Sequence, residues 1–79
     1  MLIEQFERLS EHEKKVQLFE AKKITERSDS FSRYELFYLD NFFIESKTSQ
    51  QKTFKRTLTC YTLSELPLIY AGHLHFLWS

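Results

Sequence analysis

The chain contains one glycine, one proline and one cysteine in 79 residues, and each scarcity narrows what it can be. With so little Gly and Pro, the turns must be made by Ser, Thr, Asp, Asn and Gln, and element boundaries carry little punctuation. A lone cysteine, Cys60, cannot close an intrachain disulfide, and the N-terminus carries no basic segment followed by a long apolar run of the secretory kind. A reducing cytoplasm is the expectation. No uninterrupted apolar stretch approaches the roughly 20 residues needed to span a bilayer, so a soluble chain with no membrane partner is expected. Eleven basic and eleven acidic residues cancel, which removes the global field that would draw the chain to a polyanion. There is no internal repeat or low-complexity tract. Catalytic, cofactor-binding and strong metal spacings are also missing, so the sequence states no chemistry and implies no cofactor or enzymatic role.

What the chain does have is aromatic bulk. Hydrophobic residues make up 42% and aromatics 16%, including eight Phe and four Tyr, enough to build one compact core from large flat side chains. At this length residues 1–79 form a single small domain of marginal stability, unless the core packs well or a partner adds to it.

The run from Tyr34 to Glu45 holds two aromatic-rich strand candidates on either side of Asp40-Asn41. Both residue types tolerate the positive φ of a tight hairpin turn. With these as the loop, Leu39 faces Phe42, Tyr38 faces Phe43, Phe37 faces Ile44, Leu36 faces Glu45 and Tyr34 faces Lys47. Alternation then sorts the side chains. One face carries Phe37, Leu39, Phe42 and Ile44, with Glu35 and Ser46 at its open end, and is assigned to the core. The other carries Tyr34, Leu36, Tyr38 and Phe43 with Glu45 and Lys47.

Upstream, Leu2, Phe6, Leu9, Val16 and Phe19 recur at helical intervals between charged residues. The stripe falters at Ser10, which with Glu13 matches a capping box. A turn over 2–9 leading into a helix over 11–21 is preferred to one continuous helix. Lys23 to Arg27 reads as a short strand, and Ser28 to Ser32 as a loop holding an unplaced Phe31. Thr53 to Thr62 alternates as a fourth strand. Four consecutive strands with short links make an antiparallel meander, with the N-terminal helix on one face. The fold class is α+β. Toward the end, Ser64 can cap a short helix holding Pro67 in its first turn, with Gly72 as its stop. The apolar residues from Leu74 to Trp78 must pack somewhere.

Phe6, Leu9, Ile24, Glu26, Arg27 and the run from Leu36 to Glu45 resemble a family of small uncharacterised bacterial domains. In these, a capped helix precedes an Arg-terminated strand and an aromatic hairpin. The resemblance covers about two thirds of the chain and implies a helix-plus-meander fold with no assigned activity. The family's Pro-aromatic-Leu closing pattern is present only as Leu66-Pro67-Leu68-Ile69-Tyr70.

Three constellations could carry chemistry. His73 and His75, two apart, project to one side of an extended segment and could chelate a metal with Cys60 or a carboxylate, although a buried cysteine and an apolar tail are the ordinary reading. Glu26, Glu35 and Glu45 could approach across the sheet as paired carboxylates, against which cross-strand pairing with Arg27, Arg33, Lys47 and Arg56 is favoured. Tyr34, Tyr38 and Phe43 beside Lys47, Lys52, Lys55 and Arg56 have the composition of a base-stacking platform with a basic rim, which makes single-stranded nucleic acid the alternative partner.

The favoured reading is a small non-enzymatic interaction domain that meets a partner protein or a second copy of itself. One helix covers only one side of the sheet, so Tyr34, Leu36, Tyr38 and Phe43, with Phe76 and Trp78 of the tail, form the expected interaction surface. The alternative cover for that face is the chain's own segment 63–78.

Overall fold

A computed structural model describes residues 1–50 and 55–74. Two helices, α1 (Ile3–Glu7) and α2 (Glu11–Glu20), precede four strands: β1 (Lys22–Ser28), β2 (Ser32–Leu39), β3 (Phe42–Ser49) and β4 (Arg56–Tyr61). The strands form one antiparallel sheet in sequence order, and two 3₁₀ turns, Leu63–Glu65 and Leu68–His73, close the described chain. The class is α+β, as expected.

The central hairpin has the register read from the sequence, with Leu39 opposite Phe42 and every pair in step to Ser32 opposite Ser49. Asp40 supplies the positive φ, at 54°, a conformation that Asp tolerates because its short side chain can bond locally. One slip of this turn would have inverted both faces.

The helix breaks at Ser10 for the anticipated reason. Ser10 Oγ accepts the Glu13 amide at 3.2 Å, and Glu13 Oε1 accepts the Ser10 amide at 3.2 Å. That break also resets the helical phase, which corrects the proposed stripe. Counted from the new start, Lys14, Gln17, Leu18 and Ala21 fall on one side, and Leu18 is the residue of α2 that is buried. Val16 and Phe19, placed in the stripe by counting through the break, are exposed, as is Leu2 ahead of α1. Phe6 and Leu18 instead pack with Phe37, Leu39, Phe42 and Ile44 on the predicted core face, joined at the margin by Ile3, Leu9, Leu58 and Cys60.

β1 runs one residue further at each end than expected and carries an irregularity between Lys23 and Thr25. It ends at Ser28, just before Asp29, whose Oδ1 accepts the amides of Phe31 and Ser32 at 2.8 Å each. This Asx turn holds its carboxyl below the ordinary range through those backbone amides. Phe31 itself is exposed. The first part of the fourth strand, Thr53 and Phe54, lies outside the described residues.

The C-terminal segment forms the expected short helical piece as 3₁₀ turns, with its cap corrected. Thr62, not Ser64, opens it: the Thr62 amide donates to Glu65 Oε1 at 3.1 Å and its hydroxyl to the same oxygen at 2.8 Å. Pro67 precedes the second turn, and Gly72 sits inside that turn rather than ending it. A stretch this short, cut by Pro67, has no room for the paid-up hydrogen-bond ladder of an α-helix.

Candidate interaction surface

The expected surface on the second sheet face is largely closed by the chain itself. Leu66, Tyr70 and Leu74 lie across it as a strap and bury Leu36 to 0% and Phe43 to 1% exposure, with Ile24, Tyr38 and Tyr61 at the margin. Some cover was expected for this apolar face, with segment 63–78 as one candidate. Its spacing of one apolar residue every four places explains why three side chains suffice. Leu36 and Phe43 are therefore not available as contact residues in this fold. Tyr34 and Tyr38 are half-buried, and Phe76 and Trp78 lie outside the described residues.

Tyr70 anchors the strap. Its ring is 1% exposed, and its hydroxyl donates to Glu45 Oε2. The Arg27 guanidinium stacks 3.9 Å from the Tyr34 ring centroid and 5.7 Å from that of Tyr70, with Nη2 3.9 Å from the same Glu45 oxygen. Burial, reinforced by the Glu45 carboxylate, pushes the Tyr70 phenol up to about 12. The phenol remains a donor at neutral pH, which is the form the Glu45 carboxylate requires.

This arrangement takes apart the base-stacking platform. Phe43 is buried against Tyr38, with ring centroids 5.0 Å apart. Tyr34 already holds Arg27, with Lys47 Nζ 5.6 Å from its centroid. Arg56 points to the helix side, where its Nε donates to Ser46 Oγ at 2.6 Å, and Lys52 lies outside the described residues.

The three glutamates also separate. Glu26 and Glu35 are direct cross-strand partners on the helix side, whereas Glu45 belongs to the strap side. Lys23 Nζ lies 3.4 Å from Glu26 and 3.0 Å from Glu35, and Arg33 Nε donates to Glu26 Oε2 at 2.9 Å. Arg33 holds the Glu26 carboxyl below its ordinary range, while the hydrogen bond to Glu35 raises Lys23. Both groups are thus kept charged, the state of a solvent-screened cross-strand ion-pair network.

The proposed metal set is not assembled among the described residues. Cys60 packs at the margin of the helix-side core, whereas His73 belongs to the strap on the opposite face. Burial, with Glu7 nearby, pushes the Cys60 thiol up to about 11, so it behaves as a small apolar group. His75 lies outside the described residues. Among those described, no group of three or more His, Cys, Asp or Glu could hold a metal ion, and no helix is long and apolar enough to cross a membrane.

Phe19, expected in the buried stripe of the helix, lies outside it. Phe19 is 90% exposed on α2, next to exposed Val16 one turn earlier. Beside it runs a groove of about 430 Å³ lined by Leu18, Phe19 and Phe37, with Lys15, Glu35 and Arg56 at its rim. α2 positions one wall through its buried Leu18, and the open end of the sheet supplies the floor. The Val16–Phe19 spacing of three was visible in the sequence; the signal that would have placed it outward was the phase reset at Ser10. No protein-family model, no curated protein and no solved structure matches this chain.

Proposed function

We propose that this domain works by contact with other proteins rather than by catalysis, and that its contact surface is the outer side of α2 with the groove beside it. The observation that carries this reading is Phe19, a large aromatic ring held in water on a helix whose neighbouring residue, Leu18, is fully engaged in the core. Burying such a side chain is worth about 1.5 to 3 kcal/mol. The groove between Phe19 and Phe37 offers apolar walls against which side chains of a partner can be buried. Lys15, Glu35 and Arg56 at its rim offer both signs of charge for orienting the segment that carries it.

The aromatic sheet face, Tyr34, Leu36, Tyr38 and Phe43, gives up this role because its centre is covered. A cytoplasmic setting fits a single half-buried thiol, and the resemblance to small bacterial helix-plus-meander domains fits the capped α2 and the hairpin. The test is a photo-crosslinking amino acid placed at position 19 in the full chain expressed in cells, with the same group at Glu4 as control. A discrete crosslinked protein from position 19, weakened by charge reversal of the exposed rim residue in Lys15→Glu, supports the reading. Labelling no greater than at position 4 rejects it.

A further inference from the structure

The groove beside Phe19 does not end at Arg56. That residue also lines a second well of about 320 Å³, between the first turns of α2 and the opening of β4, where Glu11, Lys14, Lys55 and Leu58 join it. With Arg56 in both, the two wells make one trough along α2 above the open end of the sheet.

The halves of the trough differ in character. The first is mainly apolar, walled by Leu18, Phe19 and Phe37. The second is basic, with Lys14, Lys55 and Arg56 against one acid, Glu11. Elsewhere on the sheet the cations Lys23, Arg27 and Arg33 each lie against a carboxylate. Among the described residues no carboxylate comes within ion-pair distance of Lys14, Lys15, Lys55 or Arg56. The acid beside the first well, Glu35, is already held by Lys23 at 3.0 Å. Arg56 is also positioned: its Nε donates to the fully buried Ser46 hydroxyl at 2.6 Å, which fixes the guanidinium where the wells meet and leaves its Nη donors to a ligand. Because the charges of the whole chain cancel, this surplus of positive charge is local to the trough.

We infer that the partner segment docked here is acidic, and that it sets a large apolar side chain between Phe19 and Phe37 and a carboxylate two residues away among Lys14, Lys55 and Arg56. The inference rests on the proposed function and adds the chemistry of the partner. The spacing follows from the helix. The residues of α2 that line the two wells are centred about five positions apart, roughly 7 Å along its axis. An extended chain covers that distance in two residues, whose side chains then point the same way. A carboxylate suits the far well because the planar fork of Arg56 can bind both its oxygens. A single strand of nucleic acid suits the trough less, since the basic stretch is one well long, is flanked by Glu11 and Glu35, and belongs to a chain of zero net charge.

Panning displayed random short peptides against the full chain selects for this chemistry directly. Selected peptides should carry Asp or Glu two places from Leu, Ile, Phe or Trp. By fluorescence anisotropy the tightest of them should bind about fivefold more weakly to Lys55→Glu, a change at an exposed position, and should recover on that variant when its own acid is replaced by Lys. Raising the salt should weaken it, and Phe19→Ser should remove it, with circular dichroism checking the fold of each variant. Selected peptides that are apolar without acids, or an affinity indifferent to Lys55→Glu, overturn the acidic partner while the Phe19 surface stands. A peptide still bound by Phe19→Ser is held elsewhere and overturns the inference, as does single-stranded DNA that displaces the peptide at equal concentration. Failure to select any peptide overturns it as well, and the crosslink from position 19 then shows separately whether the surface itself fails.

Discussion

The two faces of the sheet are covered by different means. On the helix side, α1 and α2 bring their own hydrogen bonds, closed at Ser10 by Glu13, and bury Phe6 and Leu18 over the hairpin. The lid is self-sufficient in backbone bonding but too short to reach the open end, where Glu26, Glu35, Ser46 and Arg56 are left to polar pairing and a groove remains beside Phe19. On the other side a 3₁₀ strap with little internal bonding reaches further, and seals Leu36 and Phe43 with three side chains, Leu66, Leu74 and Tyr70, the last anchored by its phenol. A regular element covers a narrow stripe firmly. An extended one follows the surface, and depends on the anchors it finds there.

If that contrast holds, Phe6→Ala on the helix side should be the most damaging single change. Phe6 is nearly inaccessible and meets Phe42 edge-on at 6.1 Å, so truncation should lower stability by about 3 to 5 kcal/mol. Urea denaturation would then find most of the protein unfolded, since so small a domain has little more than this to lose. A loss below about 1 kcal/mol would mean that the helices are not the principal lid.

Tyr70→Phe tests the strap by removing only its polar anchor. Hydrogen bonds to charged groups contribute about 1.5 to 3 kcal/mol, so a loss of that size is expected, with faster exchange of the Leu36 and Phe43 amides and little change around Phe6. Uniform destabilisation of both faces would show that the two covers act as one unit.

Alkali gives a second handle on the same anchor. The Tyr70 phenol rises from the ordinary 10.0 to about 12 on folding, so the folded state holds its proton more tightly than the unfolded one. The contribution is complete below pH 10 and is lost as pH climbs through about 12. Phenolate absorbance followed together with strap exposure should show both changing in that window, and Tyr70→Phe should remove the coincidence. The smallest stability effect belongs to Phe19→Ser, which should shift unfolding by less than about 0.5 kcal/mol while abolishing partner capture at the groove. A larger loss would mean that Phe19 is part of the fold rather than an offered surface.

Much of the hairpin was legible because it is written locally. Asp40-Asn41 set the turn, the turn set the register, and the period of two then assigned Phe37, Ile44, Leu36 and Phe43 to their faces without reference to anything distant. The capping box at Ser10 was equally readable. Its consequence for α2 was not drawn from counting: the stripe through Leu9, Val16 and Phe19 assumed a phase that the break does not transmit, so Leu18 was passed over. Glu45 was grouped with Glu26 and Glu35 by charge alone, although alternation already placed it on the other face.

Sequence by itself determined the meander, its register and the two-sided greasiness of the hairpin, since turn chemistry and alternation act over neighbouring residues. Only the tertiary structure decided what lies over each side: that Tyr70, remote in the chain, finds Glu45 and Arg27, and that Phe19 is left outside. Those outcomes depend on how far a lid reaches and which side chains meet across the sheet, and no local pattern encodes such distances.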